Sequence, residues 1–588
     1  MKSTPVIYLL VLFAYPSRLL MRLALLSAIL ICSQAIAQEN LDRFRPRAPV
    51  PLVPKAESDR DQAVTSVPQS GEGDSGIPLR GLLFVDDISD IKSDGTSSID
   101  GVTSLGVPFL NREDFSIQLG KYLNQPISLD LVDLIAAEVA LYYKDHNRPV
   151  VNVVTPEQDI TNGVVQFLVT EARIGEIKVA GNQHFKSSLF NTRLDPGGPI
   201  LMSTLEADTA FYGRNPFRSV TAELAPGDEF GESDITLMVK DEFPLRIYAG
   251  YDNSGVESTG ENRLFTGLNY GNLFGLGQEV SYQFSSSDDF EQLLAHSAVW
   301  TIPLSWMHLL EFSGVYAESN PELGNGFDLT GESWQLGSRY IIPLRKLGRI
   351  EHEVAIGYDF KFTNNNLLFG GLQVFDTPVE VSQFSLGYLA AMPDQWGRTT
   401  LSANGFWSPG GMGSHNNDVD FNAVRLGSDS DYVYATLGLD RITRLPYDFT
   451  LATSANGQIS EGNLQGTEQF LLGGYSTVRG YDELVASGDR GFGLRNEIYT
   501  PAISLLQLAG LKSVNDQLQF LAFHDFGVAE IADPLPGEGK NIELQSAGLG
   551  LRWQIEKNAS IRFDYGWQLE DIGLADSSRA HLGVTVSY

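Results

Sequence analysis

A single arginine in the last third of the chain has the surroundings of a residue that binds a carboxylate. Residues 473–483 read GGYSTVRGYDE and lie between two runs in which polar and apolar residues alternate. They set Arg479 among aromatic residues and glycines, and the glycines would let the backbone turn sharply. A guanidinium donates two parallel hydrogen bonds to a carboxylate, which holds geometry. The residues alone also allow a surface loop whose arginine faces solvent.

Other kinds of chemistry find little support in the sequence. GDSG, at residues 73–76, is similar to the nucleophile loop of a serine protease, but it continues with Ile77 and no surrounding domain supplies a His and an Asp. The sequence contains no G-x-x-x-x-G-K-[ST] and no H-E-x-x-H, its eight histidines are scattered, and its Asp-rich runs are typical of solvated loops. We expect no enzyme, no catalytic residue, no cofactor and no metal site.

The composition points away from nucleic acid and toward strands. The 588 residues carry a formal net charge of -32, and so acidic a surface repels phosphate backbones. The same acidity also serves solubility, so it does not identify a partner. Glycine (58 residues) and aromatic residues (10 %) are frequent, while charged residues make up 19 %. This mixture suits many strands and turns better than packed helices.

The N-terminus predicts export from the cytoplasm. Arg18 and Arg22 precede the apolar run LALLSAILICSQAIAQ, and its small residues AIA fit a cleavage site, so we predict a signal peptide over residues 1–37. The first twenty residues fit either an upstream start codon or an extended basic region, which leaves Met1 and Met21 open as the true start. No later run of 18 apolar residues predicts a membrane helix. A soluble exported protein or a membrane β-barrel remains.

The only cysteine of the chain, Cys32, lies within the predicted signal peptide. Ile31 before it is bulky where a lipoprotein signal has a small residue, so we do not expect a lipid anchor. After cleavage the mature chain would contain no cysteine. Neither a disulfide nor a thiol would then hold it together.

The first half of the mature chain is expected to be a linker and two small modules. Residues 38–79 are rich in Pro, Ser and Gly and predict a linker, in which only residues 57–67 could form three helical turns. Residues 80–172 predict a β-α-α-β-β module whose second helix begins at the N-cap Ser128. Residues 173–242 predict a second module with the same order of strands and helices, which suggests a tandem repeat.

The remaining residues, 245–588, predict a transmembrane β-barrel. They contain about sixteen segments of roughly ten residues with period-two alternation, which is the length of a tilted membrane strand. A closed barrel lets every backbone amide pair within a bilayer. A soluble sandwich or propeller alternates too. The alternation of tight turns with long polar loops, the strand length and the terminal strand HLGVTVSY, which ends on Tyr588, favour the barrel.

Two modules before a sixteen-stranded barrel resemble the two-partner secretion transporters, the TpsB family of haemolysin secretion/activation proteins. These belong to a superfamily of outer-membrane barrels that carry POTRA domains. The motifs behind the resemblance are VRGY at 478–481, FHD at 523–525, RNPFRSV at 214–220, DNSGVESTGENRL at 252–264 and GNLFGLGQ at 271–278. The resemblance covers nearly all of the chain after the predicted signal peptide.

The resemblance implies a set of site residues. The loop of residues 461–489 would fold back into the barrel lumen, where Arg479 would pair with Asp525 while Phe523 and Glu497 face it from the wall. The other residues implied are the loop latch of Val478, Gly480 and Tyr481, the POTRA signature of Asn215, Pro216 and Arg218, and the C-terminal assembly signal Tyr588. Known members carry an N-terminal helix that plugs the barrel, which the proline-rich linker puts in doubt here.

The function implied by the resemblance is export across the outer membrane of a Gram-negative cell. The POTRA domains, in the periplasm, would capture a large exoprotein of the haemolysin, adhesin or contact-dependent toxin type, and the barrel would conduct it. The other partners implied are outer-membrane lipid and the barrel assembly machinery, with the chain a monomer. The alternatives are an assembly factor that inserts other barrels and a passive porin. The resemblance names neither the exported partner nor whether it is also activated.

Overall fold

The computed structural model describes residues 41–47, 76–321, 327–369, 372–511 and 513–588. The chain divides into two compact units, of which one is Arg60–Pro244 and the other joins the N-terminal residues to Leu245–Tyr588. The predicted signal peptide and the possible plug helix at 57–67 lie outside the described residues.

The first module of Arg60–Pro244 is a four-stranded sheet with two helices. The sheet order is β2-β1-β4-β3, and Phe84 of β1 packs against Phe115 and Phe167, with ring centroids 5.3 and 5.2 Å away. The N-cap Ser128 is confirmed, since its hydroxyl accepts a hydrogen bond from the Leu131 N–H at 3.2 Å. The elements are β1 (Gly81–Val85), β2 (Gly101–Leu105), α1 (Glu113–Gly120), α2 (Leu129–Asp145), β3 (Val151–Val154) and β4 (Val164–Glu171).

The predicted β-α-α-β-β order is wrong in one detail for each module. In the first, the parallel edge strand β2 was missed, because it is short and its residues do not alternate between polar and apolar. In the second, the expected first helix is only the 3-10 turn Ser187–Leu189, since Gly181 and Pro196 bound a short segment. The second module comprises β5 (Arg173–Ala180), α3 (Met202–Tyr212), β6 (Arg218–Pro226) and β7 (Glu232–Asp241), with sheet order β5-β7-β6.

Sixteen antiparallel strands of the described residues close into a barrel, as the alternation predicted. The seam joins the first and last strands, from Asp252 opposite Gly583 to Tyr248 opposite Ser587. The barrel strands are β8 (Leu245–Asp252), β9 (Arg263–Leu273), β10 (Gln278–Ser286), β11 (Leu293–Pro303), β12 (Leu309–Ser319), β13 (Phe327–Pro343), β14 (Glu351–Phe369), β15 (Leu372–Asp394), β16 (Gly397–Pro409), β17 (Asp431–Arg444), β18 (Thr450–Ser460), β21 (Arg490–Tyr499), β22 (Asp516–Glu530), β23 (Asn541–Ile555), β24 (Ala559–Gln568) and β25 (Ser578–Ser587).

The two faces of the barrel wall differ as a lipid-facing and a lumen-facing surface should. Large apolar side chains on the outer face are exposed around the wall, from Ile247 on β8 through Leu437 on β17 to Val586 on β25. Side chains that point inward are polar and mostly covered, such as Gln283 and Ser297. Exposed apolar surface on this scale is stable in a bilayer rather than in water. No helix in the described part of the chain is long and apolar enough to cross a membrane.

The barrel has two distinct rims. We call the rim where Leu245 and Tyr588 lie the terminal end; there the Ile247 and Tyr588 backbones exchange hydrogen bonds of 3.0 and 2.8 Å. At the opposite rim, the loop end, the connection at 410–430 carries α4 (Asp418–Val424). The connection at 461–489, which we call the VRGY loop, carries β19 (Phe470–Leu472) and β20 (Ala486–Gly488).

Candidate functional site

The VRGY loop enters the barrel from the loop end and turns back inside it. Its strands β19 and β20 pair antiparallel and hold the two arms of the loop together. At the turn Gly480 adopts φ +91°, in the left-handed region that favours glycine. A Cβ on Gly480 would lie 3.0 Å from the carbonyl carbon of Gly566 on β24. Glycine at both positions therefore allows the loop backbone to lie directly on the wall.

Arg479 is fully buried, with 0 % exposure, against the inner wall. Its Nε and Nη2 donate to the two carboxylate oxygens of Asp525 on β22 at 2.7 and 2.8 Å, and its backbone N–H donates to Oδ2 at 3.1 Å. Its Nη1 donates to Oε1 of Glu497 on β21 at 2.6 Å. The guanidinium carbon lies 3.5 Å from the ring centroid of Phe523. The structure thus brings Arg479 together with Asp525, Glu497 and Phe523.

One further carboxylate and three further arginines belong to the same group, and the sequence analysis missed all four. Asp564 on β24 lies 3.4 Å from Nη1 of Arg479 and accepts hydrogen bonds from Arg552 at 2.8 Å and Arg562 at 2.7 Å. Arg495 lies 3.4 Å from Glu497. We call these four arginines, with Glu497, Asp525 and Asp564, the ion cluster. The available signal was strand alternation in IRFDYGW, which puts Arg562 and Asp564 on one face.

The neighbours of Arg479 in the loop make their own contacts with the wall. Val478 and Tyr481 are buried, and the Tyr481 hydroxyl donates to the carbonyl oxygen of Glu570 at 2.7 Å. The Gly480 N–H donates to Nε2 of His581 at 3.2 Å. Val478 and Tyr481 belong to an apolar cluster that joins loop and wall, together with Phe470, Leu472, Ala486, Ala529 and Leu544.

This geometry is suited to fastening a loop. Arg479 and Asp525 are both 0 % exposed, so the pair is shielded from water. A buried ion pair contributes little net stability, because desolvation offsets the attraction. Loss of one partner is nevertheless costly, since it leaves a buried charge uncompensated. The pair therefore specifies one position of the loop more than it stabilises the barrel.

A second set of ion pairs holds the arms of the VRGY loop near the loop end. Arg425, directly after α4, forms a bidentate ion pair with Asp489, which is fully buried and also accepts the Leu464 N–H at 2.8 Å. On the other arm Lys361 of β14 donates to Glu468 at 2.6 Å. We call these two pairs the root contacts. The sequence does not predict these pairs, because their partners are 64 and 107 residues apart and no motif marks them.

Residues 41–47 of the predicted linker also lie on the inner wall. The 3-10 turn Leu41–Phe44 packs its two apolar side chains on β11 and β12. Arg47 forms an ion pair with Asp252 at 2.6 Å, and Arg43 lies 3.4 Å from Glu483 of the VRGY loop. Residues 41–47 are therefore a lumen segment that contacts the VRGY loop, whereas Leu79 of the predicted linker is buried in the core of the first module.

The remaining predicted residues lie elsewhere. Asn215 is buried in the second module, where its side chain accepts the Phe217 N–H at 3.1 Å, while Pro216 is exposed. The Arg218 guanidinium lies 4.8 Å from the ring centroid of Phe185. These contacts order the turn from α3 into β6. Tyr588 is 95 % exposed beyond the last strand. Within the described ranges no group of three or more His, Cys, Asp or Glu side chains could hold a metal ion.

Comparisons with known proteins match the chain along most of its length. A family model described as "Haemolysin secretion/activation protein ShlB/FhaC/HecB" matches residues 231–553, more than half of the chain. A heme/hemopexin transporter protein HuxB of Haemophilus influenzae (strain 86-028NP) is 24 % identical over 483 residues, or 77 % of this chain and 80 % of the relative. The outer membrane transporter CdiB of Dickeya dadantii is 26 % identical and covers 66 % of this chain and 70 % of its own.

The fold has a solved counterpart. The structure of CdiB from Escherichia coli aligns with a TM-score of 0.71 at 20 % identity, and the alignment covers 96 % of this chain and 98 % of that one. At this identity the likeness establishes the fold. It extends over the barrel and the residues before it.

Proposed function

Because the chain belongs to the haemolysin secretion/activation family ShlB/FhaC/HecB, we propose that it exports a partner protein across the outer membrane by two-partner secretion. The observation that carries the proposal is a closed sixteen-stranded barrel whose lumen holds a loop fastened by one buried arginine. A passive pore has no use for such a fastening. An exporter does, since it must open for its cargo and stay closed otherwise.

The two modules would receive the partner. We assign residues 80–172 and 173–242 as two POTRA domains that lie in the periplasm. Their sheets have edge strands, β2 and β3 in the first module and β5 and β6 in the second, and an extended segment adds to such an edge through backbone hydrogen bonds. Of the two relatives named above, one is a heme/hemopexin transporter protein and the other an outer membrane transporter. The cargo class that we assign to this chain is a large exoprotein.

The loop latch would control the passage. In the closed state Arg479 and its neighbours Val478, Gly480 and Tyr481 fasten the VRGY loop to the wall. Release of the loop from Asp525, Glu497 and Phe523 would widen the lumen for an unfolded chain. Folding of the partner outside would then bias the direction of transport. In this mechanism no bond is made or broken in the cargo, so the chain acts as a translocator.

The test compares proteins at the cell surface and in the culture medium. Cells with the intact chain, without it, and with Arg479→Ala are compared. We expect one large protein to vanish from the outside in the deletion and to fall sharply in the variant. A general decline of outer-membrane barrels in the deletion would instead identify an assembly factor and refute the proposal.

A further inference from the structure

The lumen contains a second feature, a cavity of about 650 Å³ near the terminal end. It lies between the VRGY loop, which contributes Tyr475, and the ends of β17, β18, β23 and β24. Three arginines of the ion cluster form one side: Arg495, Arg552 and Arg562. Three further cationic side chains come from other elements: Arg47, Arg246 and Lys557. We call this cavity the cationic chamber.

The charge of the chamber reverses that of the chain. The whole chain has 41 Lys and Arg against 73 Asp and Glu. The chamber is lined by the six cations named above and by two carboxylates, those of Asp440 and Glu497. So large a departure from the composition, in the part of the lumen nearest the terminal end, indicates a surface that attracts anions.

Two of the arginines that line the chamber have a guanidinium N–H group that makes no hydrogen bond among the described residues. The Nε atoms of Arg246 and Arg495 are buried and have no hydrogen-bond partner in the described part of the chain. Arg246 bonds only neutral oxygens there: its Nη1 donates to Asn269 at 3.2 Å and to the Arg47 carbonyl at 3.4 Å. An incoming carboxylate would therefore find guanidinium groups that have donors to spare.

We propose that the cationic chamber binds acidic stretches of the polypeptide during its transport. The proposal rests on the proposed function, which supplies an unfolded chain to the lumen. The cations are spread over strands β8, β21, β23 and β24 instead of converging on one point, so they suit carboxylates spaced along a chain better than one small anion. Ile442 lies among them on the inner wall and would contact an apolar residue of the same segment.

The direct test is binding of short peptides to the purified full chain in nanodiscs. The probes are fluorescent octapeptides of alternating Ser with Glu, Gln or Lys, and the readout is anisotropy. We expect the Glu peptide to bind at least about tenfold more tightly than the Gln peptide. Raising the salt from about 0.05 M to about 0.5 M should remove most of this preference, because it screens partly exposed charges.

The variant R246Q should bind the Glu peptide about fivefold more weakly than the parent chain, since one cation contact is lost. The matched control is R345Q, on an exposed turn at the terminal end, which should bind as the parent does. The proposal would be refuted if the parent chain bound the Glu and Gln peptides equally well, or if R345Q lost as much affinity for the Glu peptide as the chamber variant. Full displacement of the peptide by millimolar inorganic phosphate would also refute it, by revealing a small-anion site.

The two proposals fail separately. If the partner still requires this chain for export but the Glu peptide does not bind, only the chamber inference is wrong. If the peptide binds as expected but deletion of the chain leaves every exported protein in place, the proposed function is wrong and an anion-binding lumen remains.

Discussion

Replacing Arg479 and replacing Asp525 break the same ion pair but leave different charges in the wall. The ion cluster has four arginines and three carboxylates. Arg479→Gln leaves three arginines and three carboxylates, so the charges that remain in the ion cluster cancel. Asp525→Asn leaves four arginines against two carboxylates and therefore two uncompensated positive charges. We expect both variants to release the loop, and only the second to weaken the barrel.

The free-energy cost of each substitution follows from the contacts that it removes. Arg479→Gln removes a bidentate ion pair, a hydrogen bond to Glu497 and the contact with Phe523. Each hydrogen bond to a charged group contributes about 1.5–3 kcal/mol, so the three that the guanidinium donates contribute at least about 4 kcal/mol to docking of the loop. Since about 1.4 kcal/mol is a tenfold change, the docked loop would become at least about a hundredfold less populated relative to the released loop. Asp525→Asn adds about 1–3 kcal/mol for buried groups left without a partner.

Two measurements separate these effects. Limited proteolysis of the purified chain reports release of the VRGY loop, and it should increase in both variants. Thermal unfolding of the barrel reports its stability, and the midpoint should fall by a few degrees in Asp525→Asn while Arg479→Gln stays near the parent. Asp571→Asn, which removes an exposed charge at the loop end, is the control. An equal or larger fall in Arg479→Gln would refute the charge argument.

Three further substitutions probe single contacts of the loop. Gly480→Ala, at φ +91° and against Gly566, should release the loop as fully as Arg479→Gln and show the same proteolysis; a protected loop would contradict the steric argument. Tyr481→Phe loses the hydrogen bond that the hydroxyl donates to Glu570 and the one it accepts from the Gln545 N–H, each worth about 1 kcal/mol, so export should fall by about thirtyfold at most, and complete loss would contradict this size. Arg425→Gln should make the two arms of the loop more susceptible to protease while cleavage near Val478 stays low. If cleavage of the arms does not increase, the Arg425–Asp489 pair does not hold them in place.

Local patterns predicted the barrel because the wall is built from one repeated rule. Inward and outward residues alternate on every strand, so sixteen runs of about ten residues suffice to predict the sheet. The same rule puts Phe523 and Asp525 on one face, and the family motif supplied their partner Arg479. Alternation alone does not say which inward residues meet across the lumen. Asp564 and Arg552 were therefore missed, although both lie on predicted strands.

The root contacts and the modules show where local reasoning ends. Arg425 and Asp489 lie in two different long loops, and only the folded barrel brings them together. The short strand β2 has no alternation to reveal it, so the four-stranded sheet of the first module was not predicted in full. Both omissions concern contacts set by tertiary structure, which competes with weak local preferences and wins.

The distribution of contacts along the VRGY loop leads to a last prediction about how much of it moves. Val478 lies beside Gly527 of β22, since a Cβ at Gly527 would be 3.0 Å from a Val478 methyl carbon. V478C/G527C should therefore form a disulfide between loop and wall, whereas L471C/S487C, at paired positions of β19 and β20, joins only the two arms of the loop. The only natural cysteine, Cys32, lies in the predicted signal peptide, so each pair would stand alone.

Suppose that transport requires the turn of the loop to leave the wall while its arms stay paired. The oxidised V478C/G527C variant should then block export, and adding a reducing agent should restore export. The oxidised L471C/S487C variant should export normally, because the root contacts already hold the arms in place. Export through oxidised V478C/G527C would contradict release of the latch. A block in L471C/S487C alone would mean that the arms separate, so that the root contacts, rather than Arg479, are what the cargo must open.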